Sequence, residues 1–306
     1  MSAAVGIPAA GTPAGATKPK RRRVKRSRVA LHAFLIVVCT IWVFPLLWAV
    51  YISLRSLGDT AVNGDFSLPS SLSFQNYIDA WTQANLPYYY LNTLIVAIPA
   101  VVIVLFVSSM LAFALTRVTN RFNLILLLIF TAGNLLPPQV IIVPLYTLYN
   151  AIPIAPPLSD NGRLYDQYIG IILIHVVFQT GFCVFVLANY MRTLPRELTE
   201  AAIVDGAGIA TIYRKVILPL CRPALAALAT LEFTFIYNDF FWALLLIETG
   251  SKRPITSALN NLQGQFFTNN NLLAAASLLV AIPTVVVYLI FRRQFVRGLT
   301  LGATKG

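Results

Sequence analysis

The residues best suited to chemistry in this sequence are carboxylates that stand inside long apolar stretches. Glu232 and Asp239 are seven residues apart in the apolar segment 223–247, and Asn238 adjoins Asp239. On a continuous helix this spacing places both carboxylates on one face, two turns and about 10 Å apart. A charge at the centre of a membrane helix costs about 2.5–3.5 kcal/mol, so it is kept where it has a partner or faces water. We predict that this face, with Trp242, lines a polar pathway or contacts a partner subunit; pairing within the chain is the alternative.

No other group of side chains indicates catalysis or metal binding. His175 and Gln179 share a helix face at i, i+4, but no second His lies near enough in sequence to suggest a metal, and a helix-to-helix hydrogen bond is the expected role. The widely spaced Cys39, Cys183 and Cys221 predict packing positions rather than a disulfide or zinc site. The chain also lacks the phosphate-binding sequence G-x-x-x-x-G-K-[ST], so we expect no bound cofactor and no enzymatic activity.

Composition indicates that these residues are positioned by membrane helices. Of the 306 residues, 58% are hydrophobic and 11% charged, and the mean hydropathy is +0.73, which excludes an ordinary soluble domain. The net charge of +12 comes largely from eight basic residues in the first 28 positions. Because an apolar segment follows at once, we predict that residues 1–28 form a disordered cytoplasmic tail that contacts anionic lipid and not nucleic acid.

Six apolar segments are long enough to cross a bilayer core of about 30 Å as helices. The predicted fold class is therefore all-α integral membrane, with residues 29–306 as one transmembrane domain. Both termini then lie on one side, which also holds 19 of the 23 Lys and Arg residues, so that side is predicted to be cytoplasmic. The predicted spans are about 29–51, 91–115, 122–146, 168–190, 223–247 and 272–291.

The loop between the fourth and fifth spans, about 193–223, has a helical pattern of its own. Glu197 lies near the positive end of a first short helix, where its charge is favourable. Gly206 can take a positive φ angle and Asp205 can cap a following helix, so the pair predicts a break and then a second helix that ends near Val216. Taken alone, the pattern also fits an amphipathic hairpin lying on the cytoplasmic membrane surface.

This loop resembles the cytoplasmic signature of permease subunits of bacterial ATP-binding-cassette importers, often called the EAA loop. In that family the loop forms a coupling helix that seats in a cleft of the ATPase subunit and transmits its motion to the membrane helices. The resemblance implies a type I importer fold, with ATPase-coupling roles for the residues that match the motif. These residues are Glu200, Ala201, Ala202, Asp205, Gly206 and Ala207, with Ile217-Leu218-Pro219 completing the match.

Three further segments resemble the carbohydrate-uptake branch of these importers, specifically the permease subunits for maltose and glycerol phosphate. They are Asn238-Asp239-Phe240-Phe241-Trp242, residues 136–146 and residues 295–306. The resemblance covers residues 29–306 and implies a bacterial inner-membrane chain that forms a carbohydrate pathway with a second permease subunit. It further implies a separate ATPase dimer, which holds ATP and Mg, and an extracytoplasmic binding protein facing the amide-rich loop 260–271.

Two alternatives to carbohydrate import stay open at this point. The same type of importer could carry a non-sugar solute such as glycerol phosphate. An ion-coupled secondary transporter would use Glu232 and Asp239 as coupling groups, although it would leave the signature loop without a purpose.

Overall fold

A computed structural model of the chain describes residues 26–117, 122–133, 137–262 and 268–300, with side chains from residue 28 to 292 apart from 261. Within these ranges the chain contains no β-strand, which confirms the all-α prediction. Several predictions lie outside them: residues 1–25 of the tail, the second-to-third loop at 118–121, position 136, the centre of the external loop at 263–267 and the end of the chain at 301–306.

The described helices differ widely in length, and short 3-10 or π segments join some of them. The 3-10 segments are Pro138–Ile141, Gly250–Lys252 and Leu259–Leu262, and the π segment is Ile212–Ile217. The α-helices are α1 Arg26–Ser53, α2 Leu57–Asn63, α3 Gln75–Thr82, α4 Leu86–Arg117, α5 Asn123–Gly133, α6 Ile142–Ala151, α7 Tyr168–Arg192, α8 Glu197–Val204, α9 Ile209–Thr211, α10 Leu218–Leu220, α11 Arg222–Tyr237, α12 Phe241–Leu246, α13 Ile255–Ala258 and α14 Asn270–Thr300.

Four of these helices, α1, α4, α7 and α14, are individually long and apolar enough to cross a membrane. Two more apolar helical pairs are bent: α5 with Pro138–Ala151 by 87°, and Ile209–Leu220 with α11 by 73°. The described chain therefore has four candidate spans that are each a single helix, or up to six spans if each bent pair is one. The number six stays a prediction.

The predicted fifth span, 223–247, is not one helix. α11 ends at Tyr237, and residues 238–240 separate it from α12. The hydropathy of the segment did not reveal this break, because most residues on either side of it are apolar. Asp239 consequently lies beyond the end of α11, and the prediction that it shares a helix face with Glu232 is wrong.

Small side chains allow α4 and α7 to form the most extensive helix pair among residues 49–306. Because lipid tails are as apolar as leucine, membrane helices associate through close packing, which small residues favour. Helix α11 packs against both α4 and α14. The fully buried small residues of the first pair include Ala97, Ala100 and Ala112 on α4 and Cys183 and Ala188 on α7.

Residues 28–48 belong to α1, which continues through Pro45. Most of their side chains are exposed, including large apolar ones such as Ile36, Ile41 and Trp42. This exposure suits a helix whose surroundings are lipid or other membrane helices.

A buried arginine organises the chain that follows α1. Arg55 is fully buried, and its Nε lies 2.7 Å from Oδ2 of Asp59. Its other nitrogens donate to the carbonyl oxygens of Gly64 and Asp65 and to Oγ of Ser67. A buried charge is tolerated when it is paired and hydrogen-bonded in this way. The network folds the segment before α3 into a compact unit.

Candidate functional site

The first short helix of the loop, α8, ends in a Schellman motif built on Gly206. The Ala207 N–H donates to the Ala202 carbonyl oxygen at 2.9 Å, and the Gly206 N–H donates to that of Ile203 at 2.9 Å. Gly206 has φ +78°, a conformation that only glycine adopts at little cost. The break predicted at Gly206 is thus present, and its geometry is fixed by the backbone.

Asp205 does not have the capping role that the sequence suggested. It is the C-cap residue of α8, whereas α9 begins after Gly208 and has no side-chain cap. The N–H groups of Gly206 and Ala207, directly after Asp205, donate to carbonyl groups of α8 in the Schellman motif. An N-cap at Asp205 would start the next helix at residue 206, but α9 starts three residues later, at Ile209.

The second helical segment of the loop, Ile209–Leu220, also differs from its prediction, because it was expected to end near Val216. It consists of α9, the π segment and α10 in direct succession, with Pro219 inside α10. The 73° bend then falls between Leu220 and Arg222. π segments are rare and concentrate at functional positions.

Several contacts anchor this second helical segment to the long helices. Ile212, Tyr213 and Ile217 are buried in the cluster formed by α4 and α7. The hydroxyl of Tyr213 is 2.7 Å from Oγ of Ser109 on α4, and the hydroxyl of Tyr190 on α7 donates to the Leu220 carbonyl oxygen at 3.2 Å. A displacement of the loop would therefore act directly on both helices.

The outer side of the loop carries an apolar tip that no other described part of the chain covers. Val204 is 87% exposed, and Ile203 and Ile209 lie beside it on either side of the break with more than half of their surface exposed. These three residues were not predicted from the sequence; the signal was their position next to the Asp-Gly break. Of the six predicted coupling residues, Glu200, Ala201, Asp205 and Gly206 are exposed, while Ala202 and Ala207 are half-buried against the chain's own core.

The second candidate region is the break between α11 and α12. Asp239 accepts hydrogen bonds from the backbone N–H of Trp242 at 3.2 Å and of Ala243 at 3.0 Å, so its carboxylate caps α12. Nε2 of the buried His175, on α7, lies 3.6 Å from the same carboxylate. Within the described residues, that nitrogen has no hydrogen-bond partner.

The other predicted pathway residues have separate environments. Trp242 is buried, and its ring packs on Phe178 of α7 with centroids 5.2 Å apart. Asn238 is exposed, and its amide donates to the carbonyl oxygen of Thr234 on its own helix at 2.8 Å. The structure therefore brings Asp239 and Trp242 together and leaves Asn238 apart.

Glu232 lies inside the chain and presents no surface to another subunit. It is 0% exposed, and one of its oxygens accepts a hydrogen bond from the thiol of Cys183 on α7 at 3.2 Å. Its other oxygen, Oε2, has no partner among the described residues. The contact with Cys183 is the intramolecular alternative considered from the sequence.

Asp166 joins the loop before α7 to the end of α12. Its Oδ1 accepts the backbone N–H groups of Glu248 and Thr249, both at 2.9 Å. Nearby, Lys252 and Gln167 both donate to the carboxylate of Asp160. These hydrogen bonds, chiefly the one from Lys252, lower the pKa of Asp160 to about 2.

Together, the long apolar helices and the loop anchored to two of them are features of an integral membrane protein. Residues 105–300 match the family described as the binding-protein-dependent transport system inner membrane component, and the chain belongs to this family. This membership confirms the resemblance to importer permeases that the loop indicated.

Curated relatives align along almost the whole chain. The diacetylchitobiose uptake permease of Streptomyces coelicolor is 30% identical over 91% of this chain and 89% of its own length. The melibiose/raffinose/stachyose import permease of Bacillus subtilis is 29% identical over 93% of this chain and 99% of its own length. A solved bacterial ABC transporter that imports alginate has the same fold, with a TM-score of 0.74 and 22% identity, covering 91% of this chain and all of that one.

Proposed function

We propose that this chain is a permease subunit of an ATP-driven importer and that, with a second permease subunit, it forms the pathway by which a carbohydrate enters a bacterial cell. The relatives named for oligosaccharide uptake support the substrate class. The observation that carries the mechanism is the loop at 193–223, which is anchored to α4 and α7 on one side and exposes an apolar tip on the other. This is the arrangement needed to receive motion from a cytoplasmic ATPase and pass it to membrane helices.

In this proposal each bent helical pair is one span, which makes six, and both termini are cytoplasmic. The 19 basic residues on that side favour this orientation. The partners are the second permease subunit, an ATPase dimer that holds ATP and Mg, an extracytoplasmic binding protein and membrane lipid. The chain itself is not an enzyme and binds no cofactor.

An ion-coupled secondary transporter is the second candidate. The unpaired oxygen of the buried Glu232 is the observation that favours it, because a buried carboxylate without a full set of partners can serve as a proton site. Such a transporter has no need for an anchored loop with an exposed apolar tip. An importer of glycerol phosphate would share the loop and differ only in its substrate.

Copurification is the direct test. The tagged chain, expressed with the genes of its importer, is expected to retain an ATPase subunit and to show ATP hydrolysis that rises when loaded binding protein is added. A variant with Ile203→Asp and Val204→Asp should lose the ATPase, because two charges replace the apolar tip. Ion-gradient-driven uptake by the chain alone would establish the second candidate instead.

Cysteine labelling tests the orientation. Val62 and Thr211 are both exposed, so after removal of the native cysteines each accepts a cysteine without disturbing packing. A membrane-impermeant maleimide should modify Val62→Cys in intact cells and Thr211→Cys only after permeabilisation. The reverse pattern contradicts the proposed orientation.

A further inference from the structure

A polar recess lies where α6, the loop before α7 and the end of α12 meet. Its volume is about 290 Å³, at the lower end of the range of roughly 300–1,000 Å³ typical of small-molecule sites. That size suits a single ring better than a whole oligosaccharide. The side chains that matter for recognition are Tyr146, Tyr165, Arg163 and Glu248, with Asn150 and Asn161 in the wall.

Hydrogen bonds within the chain fix the walls of this recess. Asn161 accepts the N–H of Arg163 at 2.9 Å and donates to the carbonyl oxygen of Tyr165 at 3.0 Å. Asn150 donates to the carbonyl oxygen of Tyr146, also at 3.0 Å. The recess therefore has a defined shape before any ligand arrives, which lowers the entropic cost of binding.

Two charged side chains are left available to a ligand. The side chains of Arg163 and Glu248 line the recess, both residues are exposed, and neither makes a side-chain hydrogen bond or ion pair within the described part of the chain. Arg163 offers a fan of donors and Glu248 offers two acceptor oxygens. Adjacent hydroxyl groups, which donate and accept at once, match such a pair of opposite charges.

The aromatic side of the recess is a corner made by two tyrosines. The rings of Tyr146 and Tyr165 meet edge to face, with centroids 5.0 Å apart and planes inclined by 77°. A tyrosine ring presents an apolar face beside a polar hydroxyl. A sugar ring has the complementary surface, with C–H groups on one face and hydroxyls around its edge.

We propose that this recess binds one neutral hexose unit of the transported saccharide, which stacks on Tyr146 while its hydroxyls bond to Arg163 and Glu248. The proposal rests on the carbohydrate-import function and assigns a contact point for the substrate to this subunit. In the proposed orientation the recess opens on the extracytoplasmic side, where substrate is delivered.

A neutral sugar is favoured over a uronic acid because the lining carries two carboxylates, Asp166 and Glu248, against the one guanidinium of Arg163. Asp166 lies in its wall beside Glu248. Burial, together with the negative charges of Glu248 and Asp166, raises the pKa of Tyr165. A uronate carboxylate would meet this field, whereas hydroxyl groups do not.

The test uses the full chain in phospholipid nanodiscs and saturation-transfer NMR, with raffinose and diacetylchitobiose as neutral probes. A Tyr146→Leu variant is expected to lower the transferred signal about fivefold, and Arg163→Gln and Glu248→Gln about threefold each. Tyr88→Leu is the matched control, since Tyr88 is 43% exposed and Tyr146 46%. An alginate trisaccharide should give a weaker signal than either neutral probe.

Several outcomes overturn the proposal. One is that neither neutral probe gives a saturation-transfer signal. Another is that Tyr88→Leu lowers the signal as much as Tyr146→Leu does. A third is that the alginate probe gives a stronger signal than the neutral probes. A fourth is that Tyr146→Leu weakens the stimulation of ATP hydrolysis by the binding protein but leaves the saturation-transfer signal of the sugar intact. That result would make the recess a docking surface for the binding protein. Because the NMR experiment requires no ATPase, a chain that fails here but still copurifies with an ATPase and imports sugar removes this proposal alone.

Discussion

The loop at 193–223 and the break at 238–240 are both places where a helix stops and another starts, yet they are built differently. At the first, Gly206 turns the backbone through a positive φ angle and the surrounding surface is exposed. At the second, the carboxylate of Asp239 caps α12 beside the buried His175. The first break depends on the φ angle that the backbone can adopt, and the second depends on a side chain held by hydrogen bonds to its neighbours.

This difference indicates how each region tolerates change. No atom outside the immediate chain lies within 4 Å of a β-carbon placed on Gly206, so only conformation restricts that position. Asp239 instead satisfies two backbone donors and approaches a third polar group. We therefore expect the loop to respond to residues that alter φ, and the break to respond to the loss of hydrogen-bond acceptors.

The largest effect is expected from Gly206→Pro, which tests whether the loop depends on the positive φ angle of residue 206. Proline fixes φ near −65° and removes the N–H that bonds to Ile203, a local cost of about 3 kcal/mol or more. The variant should insert normally but lose binding-protein-stimulated ATP hydrolysis and uptake in the reconstituted importer.

Gly208→Ala is the matched control for that variant. Gly208 also has open space around its β-carbon, but its φ is −71°, which alanine adopts freely. Gly206→Ala should cost about 1–2 kcal/mol, and Gly208→Ala should be neutral or slightly stabilising. If both alanine variants and Gly206→Pro transport like the wild type, backbone geometry does not control coupling.

A smaller effect is expected from Asp239→Leu, which tests the break. Leucine leaves the N–H groups of Trp242 and Ala243 without their acceptor, at a cost of about 1–3 kcal/mol. Asp239→Asn keeps one acceptor oxygen and should recover more than half of the loss. Thermal unfolding in detergent measures both variants; equal stability of the leucine variant and the wild type would refute the capping role.

Substitution of Glu232 should have a still smaller effect. It tests whether this residue stabilises the interior of the chain or lines the transport pathway. Glutamine has nearly the volume of glutamate, keeps an acceptor oxygen for the thiol of Cys183 and carries no charge to bury. Glu232→Gln is therefore expected to change stability by no more than about 1 kcal/mol and to leave uptake within about twofold of the wild type. Loss of uptake at unchanged stability would return Glu232 to the pathway.

The smallest effect concerns the ion pair of the exposed Asp160 with the half-buried Lys252. The pKa of Asp160 lies near 2, below its ordinary value of about 3.9, so the pair stabilises the folded loop above that value and its contribution is lost as the pH falls toward 2. The protection factors of the amides of residues 153–167, taken against the intrinsic exchange rate at each pH, should fall slightly over this range. Asp160→Asn should remove the pH dependence, whereas Asp65→Asn should not.

The signature loop could be predicted from sequence because its determinants are local. All of them lie within about 30 positions: a glycine that must take a positive φ angle, acidic residues in the first turn of a helix, and the residues that match the family signature. The same local reasoning failed for the cap of α9 and for the end of the second helical segment. Those boundaries depend on which carbonyl groups the Schellman closure satisfies and on anchoring to Ser109 and Tyr190.

The sequence by itself determined that the chain is helical, lies in a membrane and carries an importer signature, because hydropathy, length and spacing are properties of the chain. Only the tertiary structure decided the roles of the polar residues. Glu232 meets Cys183 across 49 positions of sequence, and Asp239 meets His175 from beyond the end of α11. A carboxylate in an apolar segment demands a partner, but the identity of that partner follows from helix packing, which no local pattern encodes.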